Sequence, residues 1–368
     1  MKRNLFVCSS AYQLLNAICI TYGYAMKSDL IITRQGLADC LDVDEIKNSE
    51  IFSEVYIWTK LHEYITDENV KNWRDTIRHN FRRIKCMANL GKIQKQIPNI
   101  EKKYNYVFLG YSDFVSQCIY FGLKKGGSRL ALFDEGTFTY GCLVAKEPFL
   151  KKIGNRLLYG ADLFDDLEAV YVRQPNKMQM GSYSHVNIRT IASCLDEKLK
   201  NEILKIYCAD EKMTALLDEK VIIFDQNMES DAARQMQKKI VDICCEIISS
   251  ENVVIKMHPA SRTDNYSMIY KKYKDRVPFE VIMETYPMEN RTLISVFSTA
   301  CFAPKLLMNQ EPYIVLTYKI MEPYFKFDNH FLHIIDQVKS DYKNEERIFI
   351  PSTLEELKKV IYKLKEIL

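Results

Sequence analysis

Glycine is scarce in this chain, 12 of 368 residues, and no Gly-x-Gly-x-x-Gly or Walker-type loop occurs. The two commonest glycine-built phosphate cradles are therefore excluded. Histidine is scarce as well, with six scattered residues. His62-Glu63 lacks the second His that a zinc-binding helix needs, so a zincin is excluded and a multi-His metal site is not expected. A divalent ion held by Asp or Glu stays open. The 11 cysteines are odd in number and contain no Cys-x-x-Cys pair, and Cys244 and Cys245 are adjacent, too close for a metal knuckle. At this chain length they read as reduced, mostly buried thiols. A formal charge of +3 is too weak for a general nucleic-acid binder, so no nucleic-acid partner is expected. The opening Met-Lys-Arg-Asn is followed by only a short apolar run before Ser9 and Ser10, the pattern of a first strand rather than of a signal peptide or a spanning helix. The expected location is the cytoplasm.

What is present is the composition of a soluble globular protein: 47% apolar and 27% charged residues exclude a disordered, coiled-coil or collagen-like chain. Aromatic residues, 23 of them Tyr, suffice for a large core and aromatic-lined clefts. At roughly 150 residues per domain the length suggests two domains. Short apolar runs at residues 5–8, 30–33, 55–58, 106–109 and 129–133 read as strands. Helical patterns separate them. The first opens at Ser9 and Ser10, with Leu14, Leu15, Ala17, Ile18 and Tyr22 on its apolar face, and another covers residues 113–123. The pattern lapses over residues 137–205, which end in a charged helical stretch. A second unit of the same kind begins at residues 220–224, with a helix over about 231–249 and strands at 253–256, 279–282, 293–297 and 314–317. An amphipathic helix at 354–368 closes the chain. The division expected is a Rossmann-like domain over 1–205, a linker at 206–219, a second such domain over 220–345, and a terminal helical segment at 346–368. Ligands of such open parallel sheets bind beyond the carboxyl ends of the strands, and two units facing each other would form a cleft there.

Charge concentrates in one stretch. Lys71, Arg74, Arg78, Arg82, Arg83, Lys85, Lys92 and Lys95 stand against Asp75 alone, with Trp73, Ile77, Phe81, Ile84 and Met87 at helical spacing. A basic amphipathic helix of this kind lies on an anionic membrane, or it is a solvated face whose apolar stripe packs on its own core.

The residues that carry chemistry follow the strands. Asp134-Glu135-Gly136 follows Leu132-Phe133, Asp225 to Glu229 follows Ile222-Ile223-Phe224, Lys256-Met257-His258-Pro259 follows Val253-Val254-Ile255, and Ser298-Thr299 follows Val296-Phe297. A carboxylate can take the proton of an attacking hydroxyl while an imidazole and hydroxyls hold a departing phosphate. Each element alone has a plainer reading: a turn, a structural cap, a helix N-cap.

In combination and order they look like the motif set of bacterial sialyltransferases: an acidic-acidic-Gly triplet, a His-Pro pair and a Ser/Thr pair. The opening from Leu5 to Ala17, with Ser9-Ser10-Ala11-Tyr12-Gln13, is similar to the start of glycosyltransferase family 52, and the bacterial polysialyltransferases have a related opening. Val277-Pro278-Phe279-Glu280 resembles the Ile-Pro-x-Glu segment of these families. The matches span about residues 4 to 300.

The resemblance implies a GT-B fold, two Rossmann-like domains facing across a cleft, and inverting transfer of sialic acid from CMP-sialic acid to a glycan hydroxyl. It implies that His258 meets the donor phosphate, that Ser298 and Thr299 bind the same phosphate and that Glu280 bonds the cytidine ribose. Ser9, Gln13, Gly136, Lys256 and Pro259 join the expected substrate-binding set. The base is Glu229 by analogy with family 52, with Asp134 and Glu135 as rivals. No cofactor or metal is expected beyond the donor substrate. The acceptor expected is a capsule or lipo-oligosaccharide glycan, lipid-linked in one version, reached from the inner membrane face through residues 71–95, and family precedent suggests a homodimer. Two readings compete: a GT-B transferase using Kdo or a UDP-sugar, and a non-catalytic, membrane-associated protein of polysaccharide assembly. On the membrane reading, neutralising Arg78, Arg82 and Arg83 lowers binding to anionic vesicles and spares turnover on a soluble acceptor. Unchanged vesicle binding removes it.

Overall fold

The computed structural model describes residues 2–59, 97, 100–101, 103–110, 114–124, 126–135, 139–140, 143, 156, 163–179, 181, 183–192, 196–209, 219–228, 230–258, 266–274, 277–325 and 329–368. Residues 71–95 and most of the 206–219 linker lie outside them. The chain divides into two compact units, Met1–Cys208 and Ala209–Leu368.

The first unit is built on a seven-stranded sheet. Its strands are β1 (Asn4–Cys8), β2 (Ser28–Ile32), β3 (Val55–Ile57), β4 (Tyr106–Leu109), β5 (Arg129–Phe133), β6 (Leu167–Val172) and β7 (Asn187–Thr190), in the order β3-β2-β1-β4-β5-β6-β7. Every pairing is parallel. Strands covered on both faces read as unbroken apolar runs, and all of β1, Leu5 to Cys8 especially, is buried. On one face the Phe6 ring stacks on Phe108 at 4.3 Å and meets Phe133 edge-on at 5.6 Å. On the other, Leu5, Val7, Val107, Leu109, Leu130 and Leu132 join the main core. Helix α1 (Ala11–Gly23) follows β1, its first turn capped by Ser10, whose hydroxyl accepts from the Gln13 N–H. Tyr22, expected on the buried face, is 46% exposed: its hydroxyl donates to Asp196, so its polar tip goes to the surface. Helices α2 (Phe114–Lys124) and α3 (Glu197–Ile206) complete the unit's longer elements.

The second unit repeats the plan with β8 (Val221–Phe224), β9 (Val253–Lys256), β10 (Lys271–Tyr273), β11 (Thr292–Ser295), β12 (Tyr313–Leu316) and β13 (Ile348–Phe349), in the order β10-β9-β8-β11-β12-β13, again all parallel. Between them lie α4 (Asp231–Ile248), α5 (Phe279–Thr285) and α6 (Ala303–Met308), and α7 (Leu354–Ile367) ends the chain. Ile240, Val241, Cys244 and Ile248 of α4 share the core with Leu357, Ile361 and Leu364 of α7. In both sheets the order reverses beside the first strand, at β1/β4 and at β8/β11, which is the Rossmann-like arrangement. Residues 279–282 were expected as a strand. They form the start of α5 instead: Pro278 is extended (φ −62°, ψ 146°) and serves as its N-cap, and Glu280 sits in the first turn. The strand in that part of the sheet is β10, Lys271-Lys272-Tyr273, whose lysines hid it.

A buried ion pair ties α6 to the segment that leads into β12. Lys305 Nζ donates to Glu311 Oε1 at 2.6 Å and to Asn309 at 2.9 Å, and the Lys343 N–H donates to the same Glu311 oxygen at 2.9 Å. Burial pushes the Glu311 carboxyl up, but the Lys305 and backbone donors outweigh it and leave the group below its ordinary value. Glu311 therefore stabilises the fold fully above its unfolded value near ~4.3, and that contribution fades as pH falls through the lower folded value. Lys305→Met strands a buried carboxylate and is expected to cost about 3 kcal/mol at neutral pH. Urea unfolding from pH 3 to 7 checks this; a variant as stable as wild type at pH 7 contradicts it.

Candidate functional site

In the first unit the strand ends gather one hydrogen-bonded cluster. Ser9 follows β1, and both its N–H and its hydroxyl donate to Gln13 Oε1, at 2.7 and 3.1 Å. The other end of the Gln13 amide donates to Glu135 Oε2 at 2.9 Å. Gln13 crosses the end of β4 to do so, and Gly110 makes room: a Cβ there would lie 2.5 Å from Gln13 Cγ and 2.6 Å from Nε2.

Asp134 and Glu135, adjacent beyond β5, have opposite fates. Asp134 is completely buried. Its N–H donates to the Tyr171 carbonyl at 2.8 Å, and its Oδ2 accepts from the Tyr140 hydroxyl at 2.6 Å and the Arg173 N–H at 3.2 Å. Burial and the Asp134 charge push the Tyr140 phenol up, so it stays a donor. Asn16, also fully buried, joins the two sides: its Nδ2 donates to the Asp134 carbonyl at 2.8 Å and its Oδ1 accepts from Arg173 Nε at 3.0 Å. Two buried charges of opposite sign are thus knitted together by neutral groups, which is how burial of either becomes tolerable. Glu135 is only half-buried, so it is the carboxylate of this pair that reaches solvent. Gly136 lies outside the described residues.

In the second unit His258, half-buried, lies two residues beyond β9. Asp225, 6% exposed and directly after β8, holds the backbone there: its N–H donates to the Lys256 carbonyl at 2.9 Å and its Oδ2 accepts the His258 N–H at 3.1 Å. Asp225 Oδ1 accepts from Gln237 Nε2 and from the Tyr266 hydroxyl, both at 2.6 Å. Lys256 is 7% exposed, its ammonium 5.7 Å from the centre of the Tyr273 ring. Glu280 is half-buried in the first turn of α5; loss of hydration pushes its carboxyl up, opposed by its own N–H and by the Lys256 charge. Beyond β11, the Ser298 N–H donates to Ser295 Oγ at 2.7 Å and the Ser298 hydroxyl accepts from the Ala300 N–H at 3.2 Å. Thr299 begins the 3₁₀ turn Thr299–Cys301. Glu229 and Pro259 lie outside the described residues.

The structure thus groups Ser9, Gln13, Asp134 and Glu135 at the end of one sheet, and Lys256, His258, Glu280 and Ser298 in the other unit. Asn16, Gly110, Tyr140, Arg173, Gln237 and Tyr266 were missed. Their residue types carry no signal until the fold brings them beside Asp134 or Asp225.

No protein-family model matches the sequence, and no curated protein matches it either. Solved structures do. Arabidopsis thaliana UGT89C1 complexed with UDP-L-rhamnose is similar at a TM-score of 0.54, with 10% identity, covering 100% of this chain and 92% of that one. A protein assigned as a UDP-N-acetylglucosamine 2-epimerase from Listeria monocytogenes gives 0.54, with 9% identity over 99% of this chain and 88% of that one. The glycotransferase of kitacinnamycin gives 0.50, with 10% identity over 99% and 90%. The chain has a GT-B fold. Among its described residues no helix is long and apolar enough to cross a membrane. The GT-B fold serves both transfer and epimerisation in these neighbours, so function must be argued from the strand-end residues.

Gly110→Ala tests the first cluster. The new methyl is expected to eject Gln13, break its bond to Glu135 and lower the melting temperature by several degrees. In a Gln13→Ala background the same change should cost little, because the side chain it meets is gone. Equal losses in both backgrounds contradict the account.

Proposed function

We propose that the chain is an inverting glycosyltransferase that moves sialic acid from CMP-sialic acid to a hydroxyl of a bacterial surface glycan. The reading is supported by one observation above others. On a GT-B fold, the described members of the three ordered motifs all lie just past parallel strands: Glu135 after β5, His258 after β9 and Ser298 after β11.

In this mechanism a carboxylate takes the acceptor hydroxyl's proton as its oxygen bonds to the anomeric carbon of the donor. The bond from that carbon to the phosphate oxygen breaks, and the electron pair leaves with CMP. His258, Ser298 and Thr299 hold the negative charge that develops on the phosphate, an electrostatic clamp that lowers the barrier. Glu135 and Glu229 are the two candidates for the base. The Asp134 carboxylate, enclosed by Tyr140 and the Arg173 backbone, supports the loop instead. Glu280 bonds the ribose. The reaction needs no metal in this scheme, and the acceptor is a capsule or lipo-oligosaccharide glycan, lipid-linked where residues 71–95 meet the inner membrane.

A second reading, a UDP-sugar donor on the same fold, is favoured by the UDP-L-rhamnose held by one structural neighbour. A thermal-shift series with CMP, CMP-sialic acid, UDP and UDP-sugars, on wild type and His258→Ala, separates them. The expected result is a selective rise with the cytidine ligands that the variant weakens. A rise with uridine ligands instead moves the donor, and no rise with any nucleotide removes the transferase reading.

A further inference from the structure

We propose that Asp225 is a positioning residue for His258: it clamps the chain at the exit of β9 and so sets where the imidazole stands. The inference rests on the reading above, in which His258 meets the donor phosphate, and assigns a role to a residue outside the motif set.

The geometry is a bracket one residue wide. Asp225 donates its N–H to the Lys256 carbonyl and accepts the His258 N–H on Oδ2, so it grips β9 on both sides of Met257. Met257 is fixed from the opposite direction, its N–H donating to the Tyr273 carbonyl of β10 at 2.9 Å and its side chain buried in the core. With residues 256 to 258 tied to the strands on either side, His258 has little freedom at its Cα. The hydroxyl of Tyr266, eight residues after His258, donates to the same Asp225 carboxylate. Gln237 of α4 steadies both, its Nε2 donating to Asp225 Oδ1 and, at 2.5 Å, to the Tyr266 hydroxyl oxygen. One buried carboxylate therefore holds both the His258 N–H and the Tyr266 hydroxyl. Three donors already occupy it, so it is built to hold a backbone rather than to take a proton from substrate.

The first unit contains the same device. Asp134 donates its N–H to the Tyr171 carbonyl and accepts the N–H of the residue two further on, Arg173, while a tyrosine hydroxyl closes on its carboxylate at 2.6 Å. In both units the aspartate directly follows a strand-ending Phe, Phe133 or Phe224, and it grips the next strand out, β6 or β9. The recurrence marks Asp225 as a strand-exit clamp. What differs is the residue delivered: Arg173, turned inward to Asn16, in one unit and half-buried His258 in the other.

The test uses the full chain with its histidines 13C-labelled, the His258 imidazole signal being assigned by its loss in His258→Ala. Asp225→Asn keeps the size and removes the charge. It is expected to move the His258 signal, leave the other histidine signals in place and weaken CMP binding by about tenfold, the scale of one hydrogen bond to a charged group. In a His258→Ala background the same change should cost no further CMP affinity. Tyr266→Phe, a milder loss, should move the His258 signal in the same sense by less, and it serves where Asp225→Asn does not fold. An unmoved His258 signal, or an equal loss of CMP affinity with and without His258, overturns the proposal. If the signal moves as expected but wild type does not bind CMP, the clamp stands and the donor reading fails.

Discussion

Parallel pairing is the constraint on which everything else in this molecule depends. Because each strand of a sheet runs the same way, each ends on the same edge, and whatever follows it in sequence is delivered there. Thirteen strands among the described residues obey this, seven in one sheet and six in the other. That is why residues as far apart in the chain as Gln13 and Glu135 meet at the end of one sheet. It also explains how a chain with so few glycines can assemble polar sites without a glycine-rich loop. Side-chain amides and carboxylates supply the donors and acceptors that such a loop would draw from the backbone. Gly110 is an exception with a reason, since the absence of its Cβ is what lets an amide side chain cross the end of β4.

Buried carboxylates are the second element of the design. Taking a carboxylate out of water is costly unless donors replace the lost hydration. Asp134, Asp225 and Glu311 are each supplied with donors that include at least one backbone N–H. The first two lie at strand exits and fix the path of the neighbouring strand. Glu311 instead takes the charge of Lys305 and ties down the backbone at Lys343. The result is that the half-buried Glu135 and His258 each stand beside a buried aspartate that already accepts several hydrogen bonds: Asp134 precedes Glu135 in the chain, and Asp225 holds the His258 N–H.

Much of this was legible in the sequence, for a physical reason. Central parallel strands are buried on both faces, so β1, β4, β5, β8, β9, β11 and β12 appear as short continuous apolar runs. Edge strands need less burial: β7 and β10 carry residues such as Asn187, Arg189, Lys271 and Lys272 that hide them, and β13 is only the two residues Ile348 and Phe349, too short to stand out. Strand β6 is internal, but Glu168 interrupts its run. The helix at Phe279 was misread because Phe-Glu-Val-Ile-Met is as apolar as a strand, and only the Pro278 cap and the acidic first turn argue otherwise. The acidic pair was legible as a pair, but not which member faces inward, because the turn beyond β5 decides that. The clamps at Asp134 and Asp225 needed the register of the sheets, which no local pattern encodes.

The same register bears on how the second unit would meet a nucleotide. Lys256 is the last residue of β9 and an obvious cation for a phosphate, yet it is buried, with its ammonium toward the Tyr273 ring and its charge acting on Glu280. Glu280 in turn, with its hydration reduced by burial, keeps its charge more easily for having Lys256 near. Each is the other's compensation, and a lysine engaged in this way has less field to offer a ligand. The half-buried His258, two residues further along the same strand exit, is the basic group that the backbone clamp delivers beyond that pair. The difference follows from distance along the strand exit: Lys256 ends β9 and is buried, Met257 is still tied to β10 and packs in the core, and His258, one residue further out, is half-buried.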